Sequence, residues 1–259
     1  MTILDEIIAY KRKEVASCKE LVRISELERR NHFQRTAYSL KQFVLDSERT
    51  GIIAEFKRKS PSKGIINDAV EVDEVTQAYA AGGASGLSVL TDFNYFGGTL
   101  QDLELARQVN KIPVLRKEFI VDEYQLIEAK AFGADAILLI AAVLDADEIK
   151  NLYNLARNLG LEVLLEIHAK EELEKINGHA DLIGINNRNL KTFEVDIENS
   201  ITLAGMLPKE MPKVAESGIS NIQTIKSLKE KGFDGFLIGE NFMKTPNPGA
   251  AFNAFVKQL

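Results

Sequence analysis

The chain has 259 residues, of which 45% are hydrophobic and 27% charged, which is enough apolar material for a sizeable core and excludes a compositionally disordered chain. The formal net charge of -6 excludes a global basic footprint for nucleic acid, so an anionic small ligand must be met by a local cluster of cations. A single cysteine, Cys18, excludes an intrachain disulfide and a cysteine-based metal cluster, and it fits a reducing, cytoplasmic location.

The chain opens Met1-Thr2-Ile3-Leu4-Asp5-Glu6, too acidic for a signal peptide, and no run of about 18 apolar residues follows to span a membrane. Ile3, Leu4, Ile7 and Ile8 form a helical stripe, and Ser39 to Ser47 predict a further helix. Residues 1–48 are expected to be a helical extension packed on the rest, too short for a core of its own. Four alike segments then recur: Gly83–Leu90, Gly133–Ile140, Gly178–Ile185 and Gly232–Gly239. Each starts with a glycine that ends a helix and runs into a short apolar strand. The repeats stand about 50 residues apart, twice the length of one β-α unit. The strands this demands between them are Ile52–Lys57, Ile112–Lys117, Leu161–Glu166 and Pro212–Glu216.

The connections read as helices. Ile149, Leu152, Tyr153 and Ala156 share a face, with Gly160 as a stop, and Asp145 with Glu148 and Ser220 with Gln223 have the form of capping boxes. Eight alternating strands and helices predict a closed (β/α)8 TIM barrel, an α/β fold with 1–259 as one domain; an open doubly wound sheet is the alternative.

In a barrel the active site lies at the C-terminal ends of the strands. Here the odd strands end in ionisable groups: Glu55 and Lys57, Lys117, Glu166, and Glu216. Alternation along a strand puts Glu55 and Lys57 on one face, and Val114 and Arg116 opposite Leu115 and Lys117. Crowded in a partly dry pocket, these charges are expected to shift one another's pKa values and to bring a lysine toward use as an acid near neutral pH. One such residue alone is an ordinary solvated strand end; the converging set is a candidate site.

The even strands bring other material. Strand six runs into Asn186-Asn187-Arg188-Asn189, strand seven into Ser217-Gly218-Ile219-Ser220, and strand eight into Gly239-Glu240-Asn241. Gly218 and Gly239 permit the close backbone approach that a phosphate needs, a feature that ordinary βα turns share. The cationic loop Lys57-Arg-Lys-Ser-Pro-Ser-Lys-Gly64 is expected to attract an anionic substrate and close over it, against the plainer reading of a solvated basic loop.

These residues resemble a known family. Glu55-Phe-Lys-Arg-Lys-Ser-Pro-Ser-Lys63 and Leu115-Arg-Lys-Glu-Phe-Ile-Val121 resemble segments of the indole-3-glycerol-phosphate synthases. So do Gly184-Ile-Asn-Asn-Arg-Asn-Leu190, Val214-Ala-Glu-Ser-Gly-Ile219 and Leu237-Ile-Gly-Glu240, in the same order along essentially the whole chain. The resemblance implies a carboxy-lyase of tryptophan biosynthesis. Its phosphosugar substrate, 1-(2-carboxyphenylamino)-1-deoxyribulose 5-phosphate, closes a ring, loses CO2 and expels water without a cofactor or metal. It implies Lys117 as the general acid of ring closure and Glu166 in the acid–base step of dehydration. Lys57 takes a second role as acid or partner of the substrate carboxylate, and Glu55 and Glu216 tune the lysines. Asn186 and Arg188 match substrate-binding positions. Phosphate is expected on the backbone near Ser217, Gly218, Gly239 and Glu240, with Ser60 as a further contributor. An ionised carboxylate donates no hydrogen bond and repels phosphate, so the Glu240 side chain is expected to turn away. Phe96, Phe119 and Leu138 are the candidates for an apolar wall under the substrate ring, with core packing as the alternative for each.

Another phosphosugar barrel enzyme, such as phosphoribosylanthranilate isomerase, would share the glycines but would not need this set of charges. A non-catalytic binding protein would be favoured by loss of a rim residue, and none of the matched positions is lost. His32, His168 and His179 form no metal motif; His168 follows strand five, where a loop role is expected and a place on the rim is the alternative. Gly82-Gly83 and Gly97-Gly98 lack a dinucleotide fingerprint. A monomer is expected, with no second catalytic domain after Leu259 and with neither nucleic acid nor membrane as a partner.

Overall fold

The computed structural model describes residues 2–188 and 194–259. Eight parallel strands close into a barrel: β1 (Ile52–Phe56), β2 (Gly86–Leu90), β3 (Val114–Lys117), β4 (Ala136–Ile140), β5 (Glu162–Ile167), β6 (Leu182–Asn186), β7 (Lys213–Glu216) and β8 (Gly235–Ile238). Each pairs with its sequence neighbours, and β1 pairs with β8 to remove the edges. All eight of the expected strands are present. The four repeat glycines, Gly83, Gly133, Gly178 and Gly232, all take positive φ, where they end one element and turn into the next.

The N-terminal extension carries α1 (Ile3–Leu21), a single helical turn at Ile24–Leu27, and α2 (Leu40–Leu45). Around the barrel run α3 (Val72–Ala81), α4 (Leu100–Val109), α5 (Tyr124–Ala131), α6 (Ala146–Asn158), α7 (Ile197–Met206), α8 (Ile222–Glu230) and α9 (Pro248–Val256). The connection after β5 departs from the pattern: it is a 3-10 helix, Lys170–Lys175, in a segment too short and too polar to lay a full amphipathic helix on the barrel. Asp145 and Glu148 form the expected capping box on α6. The box expected from Ser220 and Gln223 does not form. Asn221 caps α8 instead, its carboxamide oxygen accepting from the Thr224 N–H at 2.9 Å. No described helix is long and apolar enough to cross a membrane.

The extension grips both ends of the barrel. A capping box between Thr2 and Asp5 starts α1, which buries Ile7, Lys11 and Val15, while Ile8 falls beside that face. At the other end, Ser39 caps α2, and Leu40 and Val44 enter the barrel interior to pack with Ile53, Leu115, Leu164 and Val214. The barrel makes room for this plug: a Cβ on Gly86 would lie 2.6 Å from Leu40, and one on Gly235 2.8 Å from Val44. Fully buried Asp135 locks the crossing chain by accepting from Arg35 at 2.6 Å, Arg107 at 2.8 Å and the Tyr38 N–H at 2.8 Å.

Candidate active site

The strand ends open into a cavity of about 280 Å³. The two-residue period builds its floor. Ile53, Leu115, Leu164 and Val214 form an apolar layer inside the barrel, and two residues further along the same strands stand Glu55, Lys117, Glu166 and Glu216. Arg116, one residue out of phase, points outward and pairs with Glu128 at 2.7 Å.

The charges form two contact groups on one floor, one around Lys117 and one around Lys57. Lys117 Nζ lies 2.9 Å from Glu166 Oε2 and 2.5 Å from Glu216 Oε2. Lys57 donates to Glu55 Oε1 at 2.7 Å, and Ser88 donates to Glu55 Oε2 at 3.4 Å. Asn186 donates to Glu166 Oε1 at 3.1 Å. His168 brings Nε2 within 3.0 Å of that same oxygen, with Nδ1 3.8 Å from Glu172. This is not the plain loop role expected of His168. It stands two residues beyond Glu166 and so continues on the same face of the chain.

Burial opposes the charge on Lys117, but Glu166, Glu216 and Glu55 outweigh it and raise its pKa. The expectation that crowding brings this lysine toward neutral is therefore reversed in the free site, because the carboxylates around it prevail. Burial likewise opposes charge on Glu166, yet Lys117 and His168 hold it well below the usual carboxylate range. Glu216, buried and facing ionised Glu166, is pushed up to about 7 against the pull of Lys117. Two carboxylates sharing one ammonium are thus driven apart, one ionised and one poised to carry a proton. His168, opposed by burial but flanked by Glu166 and Glu172, rises to about 9.

Two glycines shape the cluster by what they lack. A Cβ on Gly184 would lie 2.1 Å from Glu216 Oε1, and one on Gly239 would lie 2.7 Å from Glu55 Oε1 and 2.9 Å from its Cβ. Side chains at either position would take the space the carboxylates occupy.

Around this floor the remaining expected residues divide into two walls. Phe96 and Phe119 face each other with ring centroids 6.0 Å apart, and Leu138 lies with them in the cavity lining. Ile3, Leu4 and Ile7 of α1 complete the apolar side, a contribution the helical stripe did not disclose. The opposite side carries Ser217, Gly218, Gly239 and Glu240, with Ser60 from the loop after β1. Ser217 and Gly218 adopt φ of 67° and 71°, and Asn187 donates to the Ser217 carbonyl at 2.7 Å. A strained non-glycine residue beside a cavity is the kind of feature that functional turns retain. Lys244, which sequence reasoning passed over, also lines this side. Arg188 lies 3.8 Å from Glu240 Oε2, so that carboxylate is engaged at the cavity wall. Asn189 and Leu190 of the strand-six motif lie outside the described residues.

The loop after β1 is tied down. Lys59–Ser60 pairs with Gly64–Ile65 as a two-residue hairpin, Arg58 binds Asp102 through both guanidinium nitrogens at 2.7 and 2.8 Å, and Lys59 donates to the Asn94 carbonyl at 2.6 Å. Arg58 is therefore a structural anchor, while Lys57 and Ser60 face the cavity.

A family model described as Indole-3-glycerol phosphate synthase matches residues 4–255. An indole-3-glycerol phosphate synthase of Bacteroides thetaiotaomicron is 51% identical over 99% of this chain and 98% of its own. One from Aliarcobacter butzleri is 45% identical over 95% of each chain. Among solved structures, the tryptophan synthase alpha subunit of Legionella pneumophila superposes with a TM-score of 0.61 at 14% identity, covering 84% of this chain and 95% of that one. Thiamine phosphate pyrophosphorylase of Pyrococcus furiosus does so with a TM-score of 0.60 at 17% identity, covering 85% and 98%. At these identities the two superpositions establish the barrel fold alone.

Proposed function

This chain belongs to the indole-3-glycerol phosphate synthase family, and from that membership we propose how its own residues convert 1-(2-carboxyphenylamino)-1-deoxyribulose 5-phosphate to indole-3-glycerol phosphate. The observation that carries the reading is Lys117, suspended between Glu166 and Glu216 on a floor flanked by an aromatic wall and glycine-bearing turns. The substrate ring lies against Phe96, Phe119 and Leu138. Its phosphate takes the backbone at Ser217, Gly218, Gly239 and Glu240, with Ser60 at the edge. Asn186 and Arg188 hold the sugar between them.

In ring closure the aromatic carbon bearing the carboxylate bonds to the ribulose ketone carbon. The ketone oxygen takes the electron pair and a proton from Lys117. An alkoxide is a stronger base than an amine, so the transfer runs forward even from a raised lysine pKa. Glu216, with a pKa of about 7, is placed to return a proton to the lysine. The carbon–carboxylate bond then breaks, CO2 leaves and its electrons restore the aromatic ring. In dehydration Lys57 protonates the departing hydroxyl, and ionised Glu166 takes the proton from the adjacent carbon; Glu55 holds Lys57 in place. The single half-buried thiol of Cys18 fits a reducing cytoplasm.

The test is emission. The protein has no tryptophan, so indole fluorescence from the substrate stands clear of the protein's own tyrosine signal. Purified protein should generate that signal with no added cofactor, and Lys117→Ala should abolish it while leaving circular dichroism unchanged. Near-wild-type turnover in Lys117→Ala would remove the lysine from its assigned role.

A further inference from the structure

A buried ammonium in the N-terminal helix is unused by the chemistry above. Lys11 stands where the α1 stripe calls for an apolar residue, between Ile7 and Val15, with its side chain only 3% exposed. Its Nζ lies 2.5 Å from Glu14, 2.9 Å from Asp92 Oδ2 and 3.1 Å from Glu118 Oε1. Burial opposes its charge, and Glu118 and Asp92 outweigh that opposition.

The two barrel carboxylates it joins have second attachments. Asp92 accepts the Tyr95 N–H at 2.7 Å and so starts the helical turn Phe93–Phe96 that carries Phe96. Glu118 accepts the Phe119 N–H at 2.8 Å through the oxygen that faces Lys11, and the Thr91 hydroxyl at 2.7 Å through the other. Each of these two barrel carboxylates thus fixes the backbone that carries one of the two facing phenyl rings. Without the ammonium, two buried carboxylates would converge, and among the described residues the other cation within 4.0 Å of either is Arg116, 3.8 Å from Glu118.

We infer that Lys11 is a positioning residue of the substrate's aryl subsite, the group through which the N-terminal helix sets the separation of Phe96 and Phe119. This rests on the reading of those rings as the aryl wall. Removing the ammonium lets the two ring-bearing turns move apart, and binding of the aromatic half of the substrate weakens. The sugar-phosphate half, on the far side of the cavity, is untouched.

The experiment compares two probes on the full chain, the borohydride-reduced substrate, which keeps the aryl ring, and ribulose 5-phosphate, which lacks it. Lys11→Met should weaken the reduced substrate by about tenfold, with ribulose 5-phosphate within a factor of about two. KM for substrate should rise more than kcat falls. Amide exchange at Tyr95 and Phe119 should quicken ahead of the rest of the fold. Phe119→Ala runs alongside. If it is selective for the aryl probe and Lys11→Met is not, the aryl wall stands and the role of Lys11 is overturned. If neither variant discriminates, the wall assignment fails and the inference with it. Lys11→Gln, which keeps a donor without the charge, replaces Lys11→Met should that variant not fold. Loss of the fold in both would make Lys11 a determinant of folding and overturn the positioning role.

Discussion

Glu166 shows how much a single side chain here depends on its neighbours. Its carboxylate is held by Lys117 on one oxygen and by Asn186 and His168 on the other, which keeps it ionised and oriented. Glu166→Gln should leave ring closure measurable and slow dehydration by about 10²-fold or more, the usual weight of a positioned acid–base group. Single-turnover analysis should then show the undehydrated intermediate accumulating. An unchanged dehydration rate would remove Glu166 from the proton-abstraction step. His168 supplies a pH signature. Folding raises its pKa from 6.5 to about 9, so its contribution to stability is complete below pH 6.5 and fades as pH rises through 9. Thermal melts of the wild type should therefore lose ground between pH 6.5 and 9. His168→Gln should lack that fall, the difference being about 2–4 °C per kcal/mol. Parallel pH curves for the two proteins would rule out the ion pair. Sequence identified the types and positions of Glu55, Lys57, Lys117, Glu166 and Glu216, since a period of two fixes which strand residues share a face. It did not identify the direction of the Lys117 shift, because that depends on which carboxylates surround the lysine in space.

At the scale of elements, the glycines at the strand ends decide whether the cluster fits. β6 offers Gly184 beside Glu216, whose registry neighbour on that strand is Asn186. Gly184→Ala should cost about 1–3 kcal/mol from overpacking. Its loss in kcat should be larger than the stability change implies, because Glu216 must swing off Lys117 to clear the new methyl. Chemical denaturation and turnover measured on the same sample test this, and a stable variant of normal activity would contradict it. Resemblance brought Gly184 into a motif, yet its reason became visible only when β6 and β7 were set side by side. Elements were otherwise well marked in the sequence, where repeat glycines and apolar runs gave all eight strands. The misassigned cap at Ser220 and the 3-10 helix after β5 show the limit. Adjacent residues Ser220 and Asn221 both suit a cap, and a short polar segment does not declare which helix it will form.

At the scale of the molecule, the extension and barrel work as one object: α1 lines the cavity mouth and α2 plugs the opposite end. We propose that residues 1–259 form a single folding unit. Asp135, which ties Arg35 and the Tyr38 amide to the barrel, is the joint to break. Asp135→Ala should destabilise the protein by about 3–5 kcal/mol by leaving Arg107 buried without its partner. Unfolding should remain one cooperative transition by circular dichroism and tyrosine emission. Separate transitions for the extension and barrel would refute the single unit. By itself the sequence determined the eight-fold alternation, the charged odd strands and the family, because these are periodic or local patterns written along the chain. Only the tertiary structure decided that α1 enters the cavity, that α2 fills the barrel's far end, and that Lys11 joins Asp92 and Glu118 on the barrel. Those contacts pair residues far apart in the chain, and their energies depend on burial and on distances that a linear pattern does not contain.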